Sequence, residues 1–371
     1  MNLPIDFTVQ TKAQLREVVG SPSEALLEKI LPSLEEQSRY FIQHSSIVCA
    51  TTKQRNHFLH GSMFGGEKGF VRFIAENSLL IPIKEAGDYL RLIENINANP
   101  FIGLLFFIQG VSETLRVNGR ASIVKEKALL TAHFPADQQL TAAIRVDVEE
   151  CFFHCAKAFI RSKLWDSTTY LPSYHTEMSS ASDFFYQHTI LSEQMQSFIT
   201  HAPFICVGTS QRQGGADISP KGDPAGFVQI LDERTILIPD RPGNKICDNF
   251  ENILVNPSIC VLFFVPGVDH ILHVQGKASI VKEAKILEPL SIAGKRPALG
   301  IWIELQQVTL AYSQAMVDAG LWNPANQIDR KTFPTMGEMV MKQLAHSKLT
   351  KGMSAKAFDD MVSQEYKQHL Y

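Results

Sequence analysis

The sequence predicts a mainly β protein with helices (α+β), in which one chain forms two small antiparallel barrels. The first observation is a tandem repeat: the hexapeptide ASIVKE begins at Ala121 and again at Ala278, 157 residues later. Roughly 40% of the positions from His44 to Glu126 are identical to those 157 residues further on, without a gap. The second observation is that each copy contains about six short runs rich in β-branched and aromatic residues around one short helix, a pattern typical of small barrels.

The elements follow the same order in both copies. A helix comes first, EEQSRYFIQH in the first copy and EQMQSFITH in the second, and a β-branched strand follows it, SIVCATT or FICVGTS. Next come a polar loop, the strands GFVRFI and SLLIPI (GFVQIL and TILIPD in the second copy) and a helix that ends at Asn-Pro. Two long strands joined by a glycine turn and a last alternating strand, IRVDVEE or IWIELQQ, complete each barrel.

The repeat sets the domain boundaries. We expect an N-terminal helical segment at residues 1–43, a first barrel at 44–171, a linker and helix at 172–200, a second barrel at 201–325 and a helical tail at 326–371. The two barrels are expected to pack about a pseudo-two-fold axis, as the subunits of a homodimer do. Apolar residues of the tail, several of them Met, recur at helical spacing, which favours a role in the core over a ligand site.

Composition and charge argue against several function classes. The formal net charge is −3 over 371 residues, so no basic excess favours nucleic acid as a partner. The longest apolar runs, FIGLLFFI and ICVLFFV, are too short to span a bilayer, and the N-terminus lacks the basic start and apolar run of a signal peptide. Six cysteines without a CxxC pair indicate a reducing compartment. We therefore expect a cytoplasmic protein without nucleic-acid or membrane partners.

Two short motifs raise the question of a metal or haem. Cys151, His154 and Cys155 lie together in CFFHC, and His57 and His60 lie together in HFLH. Neither motif has a second ligand pair in the sequence that would complete a site. Packing beside aromatic residues is therefore favoured for the cysteines, and no metal is predicted.

A strand-turn-helix segment of the second copy, TILIPDRPGNKICDNFENIL, has the composition of an anion site. The turn leads into a helix N-terminus, where unpaired backbone N–H groups and the helix dipole favour an anion. Arg241 can bind a phosphate in a bidentate manner, Lys245 adds a charge, Gly243 allows the backbone to come close, and Asn244 can donate a hydrogen bond. A solvated turn with ordinary surface charges is the alternative.

The first copy lacks this positive charge. Its turn reads PIKEAGD, with Lys84 in place of the arginine and with Glu85 and Asp88 in place of the following proline and lysine, so the formal charge falls from +1 to −1. The polar loop before the turn changes in parallel, from DISPKGD to HGSMFGG. Two carboxylates facing a phosphate would repel it. Only the second copy is therefore expected to hold one.

The second-copy motifs, SPKGDPAGFV followed by LIPDRPGN, FENILVNP, LFFVPG and LHVQGKA, resemble those of the pyridoxamine 5′-phosphate oxidase-like, FMN-binding split-barrel proteins. The first copy shares LREVVGSPSEALLEKIL, QGVSETLRVNGRA and FFHCAKAFIRSKLW with the same group. The resemblance covers both copies, from about Leu15 to Met341. It implies split barrels that pair as in a homodimer, with FMN sites at the interface that each use both barrels. Here that arrangement would be an intrachain pseudo-dimer.

The resemblance divides the implied FMN site between the copies. The front half is intact only in the second copy and comprises Ser219, Lys221, Asp223, Arg241, Gly243, Asn244 and Lys245. The back half is intact only in the first copy and comprises Arg116, His154, Lys157, Arg161 and Lys163, where the second copy has His273, Ala311, Gln314, Asp318 and Gly320. We therefore expect one whole FMN site between the repeats and a second site that has lost both halves.

The resemblance also implies roles. The turn residues would hold the FMN phosphate, and Ser219 and Lys221 would lie along the isoalloxazine ring. Asp223 would orient Lys221 or accept a hydrogen bond from the turn. The basic residues of the first copy would close the pocket. His154 is the candidate acid or base, because an imidazole ordinarily titrates near neutrality, and a satisfied core histidine is the alternative.

The implied activity is that of an FMN-dependent oxidoreductase acting on a small molecule, with NAD(P)H as a candidate electron donor. Pyridoxamine phosphate is not the favoured substrate, because the segments after Trp165 and Trp322 lack the Arg- and His-bearing pattern of the oxidases proper. The sequence contains no GxGxxG motif, so a dinucleotide-binding domain is not expected in this chain. A flavin carrier or sensor, and a degenerate pseudo-dimer with a structural role, remain as alternatives.

Overall fold

The computed structural model describes residues 3–84, 86–137, 139–171, 188–211, 215–344 and 352–371. Each repeat forms one seven-stranded antiparallel sheet. The strands of the first repeat are β1 (Ile47–Lys53), β2 (Leu59–Gly65), β3 (Arg72–Ala75), β4 (Ser78–Pro82), β5 (Phe101–Phe107), β6 (Thr114–Val124) and β7 (Ala143–His154). Those of the second are β8 (Phe204–Ser210), β9 (Ala216–Gly222), β10 (Gln229–Asp232), β11 (Thr235–Pro239), β12 (Ser258–Phe264), β13 (His270–Val281) and β14 (Gly300–Tyr312).

The two sheets have the same strand order. It is β2-β1-β5-β6-β7-β4-β3 in the first repeat and, read from the corresponding edge, β9-β8-β12-β13-β14-β11-β10 in the second. The predicted fold class, mainly β with helices (α+β) and two split barrels, is confirmed. Most of the predicted linker, residues 172–187, lies outside the described parts of the chain.

The helices surround the barrels. They are α1 (Lys12–Val19), α2 (Glu24–Leu27), α3 (Glu36–His44), α4 (Ala86–Ala98), α5 (Lys127–His133), α6 (Lys157–Ser162), α7 (Glu193–His201), α8 (Asp248–Val255), α9 (Ala284–Leu287), α10 (Gln314–Asp318), α11 (Met336–Gln343) and α12 (Ala355–His369). The helices predicted before each barrel are α3 and α7, and those predicted to end at Asn-Pro are α4 and α8. In the described residues, no helix has both the length and the apolar character needed to cross a bilayer.

The segments predicted as polar loops are edge strands. β2 pairs with β1 and β9 pairs with β8 over seven residues each, so the loop prediction is wrong for these segments. Glycine and serine in both segments, and Pro220 in β9, led to the prediction of a loop, because these residues are typical of turns. An edge strand tolerates a proline, which has no backbone N–H to donate to a neighbour.

A shared core joins the two repeats. Phe107 and Phe264 are repeat equivalents; both are buried, and their ring centroids lie 6.3 Å apart. Trp165 and Trp322, also equivalents, have ring centroids 6.4 Å apart. Equivalent residues that meet each other mark a pseudo-two-fold axis. The chain is therefore an intrachain pseudo-dimer.

The two ends of the chain cross over to opposite barrels. Val9 and Leu15, near the N-terminus, are buried in the core of the second repeat. Phe333 and Met339, near the C-terminus, are buried in the core of the first repeat, as the Met pattern of the tail predicted. The crossing places α1 and the end of α12 beside the same inter-repeat cavity.

Candidate functional site

A cavity of about 690 Å³ lies between the two repeats. The first repeat lines it with the end of β7 and with α6, and the second lines it with β9 and the turn between β11 and α8. Eleven of the twelve residues predicted for the two halves of the site line this cavity, among them His154, the predicted acid or base. Lys163 is the exception, because it is exposed at the end of α6, outside the lining.

Gly222 allows the repeats to meet beside the cavity. It ends β9, and a Cβ atom at this position would overlap the backbone oxygen of Ala158 in α6. The strand that carries Ser219 therefore lies directly against the helix that carries the basic residues of the first repeat. The same close approach joins Gly65 to Ala315 on the other side of the axis.

Two carboxylates hold the basic side chains of the second repeat. Asp223 is 1% exposed and accepts a hydrogen bond from Nε of Arg241 at 2.6 Å. Lys221 pairs with Asp240, with 3.1 Å between its Nζ and a carboxylate oxygen. Asp223 therefore contacts the turn, which is one of its two predicted roles. The other predicted role, orienting Lys221, is wrong, since Asp240 does so.

The basic turn has a constrained backbone. Lys245 and Cys247 have φ angles of 60° and 66°, a region that costs about 1 kcal/mol for residues other than glycine. The side-chain oxygen of Asn244 accepts a hydrogen bond from the backbone nitrogen of Ile246 at 3.1 Å, which stabilises the bend. Asn244 thus shapes the turn in addition to lining the cavity.

Helix α1 supports the turn from outside both repeats. Arg16 donates from Nη1 to the backbone oxygen of Lys245 at 2.6 Å and from Nη2 to that of Ile246 at 2.9 Å. Its guanidinium also pairs with Glu251 of α8. Arg16 therefore connects the strained part of the turn to the helix that follows it.

Arg116 joins the repeats through three carboxylates. It lies 2.6 Å from Asp248 at the start of α8, 3.1 Å from Glu150 and 3.6 Å from Asp217 of β9. Burial raises the pKa of Asp248 and of Glu150, and the charge of Arg116 opposes that rise. The helix N-terminus that was expected to face an anion carries the carboxylate of Asp248. Arg116 lines the cavity as a largely compensated cation.

His154 ends β7 and faces the cavity beside Phe152, with ring centroids 4.6 Å apart. Burial lowers the pKa of this imidazole well below its ordinary value of 6.5, and the positive charge of Arg116 lowers it further. The ring is neutral at pH 7, so the expectation that it titrates near neutrality is wrong. Its Nε2 is buried and has no hydrogen-bond partner among the described residues, so the alternative of a satisfied core histidine does not hold either.

Lys157 and Arg161 of α6 are buried cations. Lys157 Nζ lies 2.6 Å from a carboxylate oxygen of Glu365 in α12. Arg161 donates to the backbone oxygen of Leu370 at 2.8 Å and, from the first repeat to the second, to that of Pro242 in the basic turn, also at 2.8 Å. Arg161 therefore connects both repeats and the C-terminal residues at one point of the cavity wall.

The cavity lining carries an excess of positive charge. Eight cationic side chains line it together with three carboxylates. The cations are Arg116, Lys157, Arg161, Lys221, Arg241, Lys245, Lys295 and Arg296, and the carboxylates are Asp223, Asp240 and Asp248. Such a lining favours an anionic ligand.

The equivalent place on the other side of the pseudo-two-fold axis is almost filled, with a volume of about 30 Å³. Phe64 and Leu92 line it where the large cavity has Lys221 and an asparagine. Lys84, the counterpart of the turn arginine, pairs with Asp318 at 3.6 Å. This small pocket is apolar, and its charges compensate each other.

Within the described ranges, no group of three or more His, Cys, Asp or Glu side chains is placed to hold a metal. Cys151 donates from Sγ to the backbone oxygen of Ser33 at 3.1 Å, and burial raises the pKa of its thiol to about 12. His60 stacks on His273, with ring centroids 6.2 Å apart. Residues of both motifs considered for a metal are therefore engaged in packing.

Sequence reasoning missed three parts of the lining: the valines of α1, the carboxylates of Asp240 and Asp248, and a group formed by Lys295, Arg296 and Tyr371. The last of these could have been found by comparing the repeats. Lys295 and Arg296 correspond to Gln138 and Gln139 in the first copy, which therefore lacks positive charge here as it does in the turn. Burial raises the pKa of Tyr371 to about 12, so its phenol is neutral at pH 7.

A protein-family model described as pyridoxamine 5′-phosphate oxidase matches the chain twice, at residues 34–155 and 191–318. Together the two matches cover more than half of the chain, one in each repeat. The chain belongs to the pyridoxamine 5′-phosphate oxidase family. Both family segments contribute residues to the cavity lining, and α1, α6 and the C-terminal residues lie outside the two segments. A comparison with curated proteins found no match.

Solved structures similar to this member of the family each cover about one third of it. HupZ from Group A Streptococcus is 17% identical over 33% of this chain and 98% of its own, with a TM-score of 0.27. A putative pyridoxamine 5′-phosphate oxidase from Lactobacillus delbrueckii is 15% identical over 33% and 95%, with a TM-score of 0.28. A protein described as an F420 reductase is 14% identical over 33% and 98%, with a TM-score of 0.26. With TM-scores below 0.5, these likenesses add nothing to the family assignment.

Proposed function

We propose that this chain is a flavoprotein that binds one FMN between its two repeats and acts as an oxidoreductase on a small molecule. Its membership of the pyridoxamine 5′-phosphate oxidase family supports a flavin ligand. The inference of a single FMN site rests on the contrast between the cavity and the equivalent pocket on the other side of the pseudo-two-fold axis. One is a cavity of about 690 Å³ whose lining includes eight cations and three carboxylates, and the other is a pocket of about 30 Å³ whose charges are paired internally.

The residues present fit a phosphorylated flavin. Arg241 and Lys245 supply charge at a turn whose backbone is already bent, which suits a phosphate. Phe152 and Phe250 offer apolar surface for a ring system. The buried, unpartnered Nε2 of His154 offers a hydrogen bond to a polar ring atom. The cavity volume lies within the range of about 300–1,000 Å³ that is usual for small-molecule sites.

The chain's own side chains would bind and orient the cofactor. A bound FMN would supply the electron transfer, which no amino-acid side chain here provides. Arg241, Asn244 and Lys245 would hold its phosphate. Ser219 would lie beside the ring system, and Lys221, fixed by its carboxylate partner, would place a positive charge there. That charge would favour the reduced flavin by stabilising negative charge on it.

The mouth of the cavity favours an anionic substrate or electron donor. Lys295 and Arg296 are exposed and also line the cavity, so they stand where a second molecule would approach. An anion such as NAD(P)H would be attracted to this pair, and the field would raise its association rate. This proposal leaves His154 as a neutral hydrogen-bonding residue that could exchange a proton with the substrate.

A matched pair of variants tests the proposal. Arg241→Glu reverses the charge of the basic turn, and Lys84→Glu makes the same change at the pseudo-equivalent turn. We expect the first variant to lose FMN on gel filtration and the second to retain it, as judged from flavin absorbance near about 450 nm. Equal loss in both variants, or no FMN in the unmodified protein under reconstitution, would contradict the single-site assignment.

A further inference from the structure

Residues 365–371, the end of α12 and the two residues after it, contact side chains that line the cavity and are called the closing segment below. Glu365 pairs with Lys157 at 2.6 Å, and that lysine is only 3% exposed. The hydroxyl of Tyr366 accepts a hydrogen bond from the backbone nitrogen of Ala156 at 3.0 Å. Both contacts are made to the start of α6, the helix that forms one wall of the cavity.

The last two residues of the closing segment reach both repeats. Arg161 donates from Nε to the backbone oxygen of Leu370 at 2.8 Å, and Lys295 donates from Nζ to that of Tyr371 at 2.7 Å. Tyr371 lines the cavity itself. The segment thus connects α6 of the first repeat to the basic mouth contributed by the second.

The base of α12 is held in a different way. Phe358 is buried in the core of the first repeat, and Asp359 accepts a hydrogen bond from the backbone nitrogen of Gly337 at 2.7 Å. Met361, further along, is 51% exposed. Apolar burial therefore fixes the base, whereas mainly polar contacts to cavity cations hold the closing segment. Such contacts can be exchanged for contacts with water or with an anionic ligand.

The cations that hold the closing segment occur only beside the large cavity. Lys157, Arg161 and Lys295 correspond to Gln314, Asp318 and Gln138 in the other copy. The segment therefore pairs with the same charges that distinguish the intact site from the degenerate one.

We propose that the closing segment is a gate of the candidate site, which opens from the anchored base of α12 to admit or release a ligand and closes by pairing with Lys157, Arg161 and Lys295. The inference rests on the proposed function for the identity of the ligand, but not for the motion. Because an anionic ligand would use the same cations, ligand binding and closure are coupled, and each changes the free energy of the other.

Thiol labelling of the flavin-free protein tests the gate without any ligand. Cys155 lines the cavity, is half-buried, and directly precedes Ala156, whose backbone nitrogen donates to Tyr366 of the closing segment. We expect N-ethylmaleimide to modify it about tenfold faster in Tyr366→Phe and in Glu365→Gln, because each removes a side-chain contact of the closing segment and so raises the open fraction. Asp360→Asn is the control, since it removes only an exposed pair with Lys356 earlier in α12. Unchanged labelling of Cys155 in both variants would overturn the gate, whatever the protein binds.

The kinetics of FMN binding provide the second test. A gate limits passage in both directions, so the association rate of FMN should rise about tenfold in the same variants and its dissociation rate should rise as well. A rise in the dissociation rate alone would overturn the gate and make the segment a static ligand contact. If the unmodified protein binds no FMN, the proposed function fails, and the labelling result still decides the gate.

Discussion

Lys84 and Asp318 form an ion pair, with 3.6 Å between Nζ and a carboxylate oxygen. Their counterparts in the repeat are Arg241 and Arg161, and both of these arginines line the large cavity. Burial and, in smaller part, Arg241 lower the pKa of Arg161. The small pocket therefore pairs its charges within the protein, whereas the large cavity brings together cations that a bound anion would stabilise. This asymmetry underlies the single-site proposal.

The close approach at Gly222 gives a prediction with a built-in control. Gly222→Ala and Gly65→Ala both push an edge strand away from a helix of the other repeat, because each new Cβ would overlap a backbone oxygen. We expect each variant to lose about 1–3 kcal/mol of the free energy of unfolding in denaturant titrations. Only Gly222→Ala should also weaken FMN binding, since only β9 lines the large cavity. Equal loss of FMN in both would indicate a general effect on folding.

Arg16 should set the affinity of the turn for a phosphate although it does not line the cavity. Arg16→Gln removes a charged donor from two backbone oxygens of the turn. A charge-assisted hydrogen bond contributes about 1.5–3 kcal/mol, so we expect the Kd for FMN to rise at least about tenfold. Lys12→Gln is the control, because it removes only the exposed pair with Glu251. Titration of FMN fluorescence measures both, and an unchanged Kd in Arg16→Gln would contradict the supporting role of α1.

Removal of Arg116 should destabilise the pseudo-dimer strongly at neutral pH. Arg116→Leu leaves three carboxylates without their cation, and breaking a buried charge network of this kind costs about 3–5 kcal/mol. The loss should shrink as pH falls, because the acids can then be protonated. Arg145→Leu, at an exposed pair, should cost less than about 1 kcal/mol. Denaturant unfolding at several pH values distinguishes the two, and a small, pH-independent effect at Arg116 would refute the argument.

His154 should make the fold sensitive to acid. Because burial depresses the pKa of its folded form well below 6.5, the unfolded chain binds a proton below that pH while the folded chain does not. The free energy of unfolding therefore falls as pH drops below 6.5. His154→Asn should remove part of this slope. Equal slopes for the wild type and His154→Asn would count against a buried neutral imidazole.

Much of the fold could be predicted from the repeat, because equal spacing over 157 residues fixes which elements correspond. The two halves of the candidate site could be found in the same way, because equivalent positions of the repeats differ in charge. Lys221, a cation, corresponds to the apolar Phe64. β9 was mistaken for a loop because its glycine and proline suit an edge strand as well as a turn.

The long-range parts of the site could not be predicted from a repeat. Arg16 and Tyr371 lie outside the duplicated region, so the repeat does not indicate that Arg16 contacts the basic turn or that Tyr371 lines the cavity. The pairing of Arg116 with Asp248 joins residues 132 positions apart, and it depends on the packing of one repeat against the other. The neutral state of His154 follows from burial, which one sequence does not reveal.

The FMN content of the purified or reconstituted protein tests whether the chain holds one flavin site. The flavin released by denaturation is measured against the protein concentration. We expect one FMN per chain, held between the basic turn of the second repeat and α6 of the first. Two FMN per chain would show that the small pocket opens to bind as well, and no FMN would show that the cations of the large cavity serve another ligand.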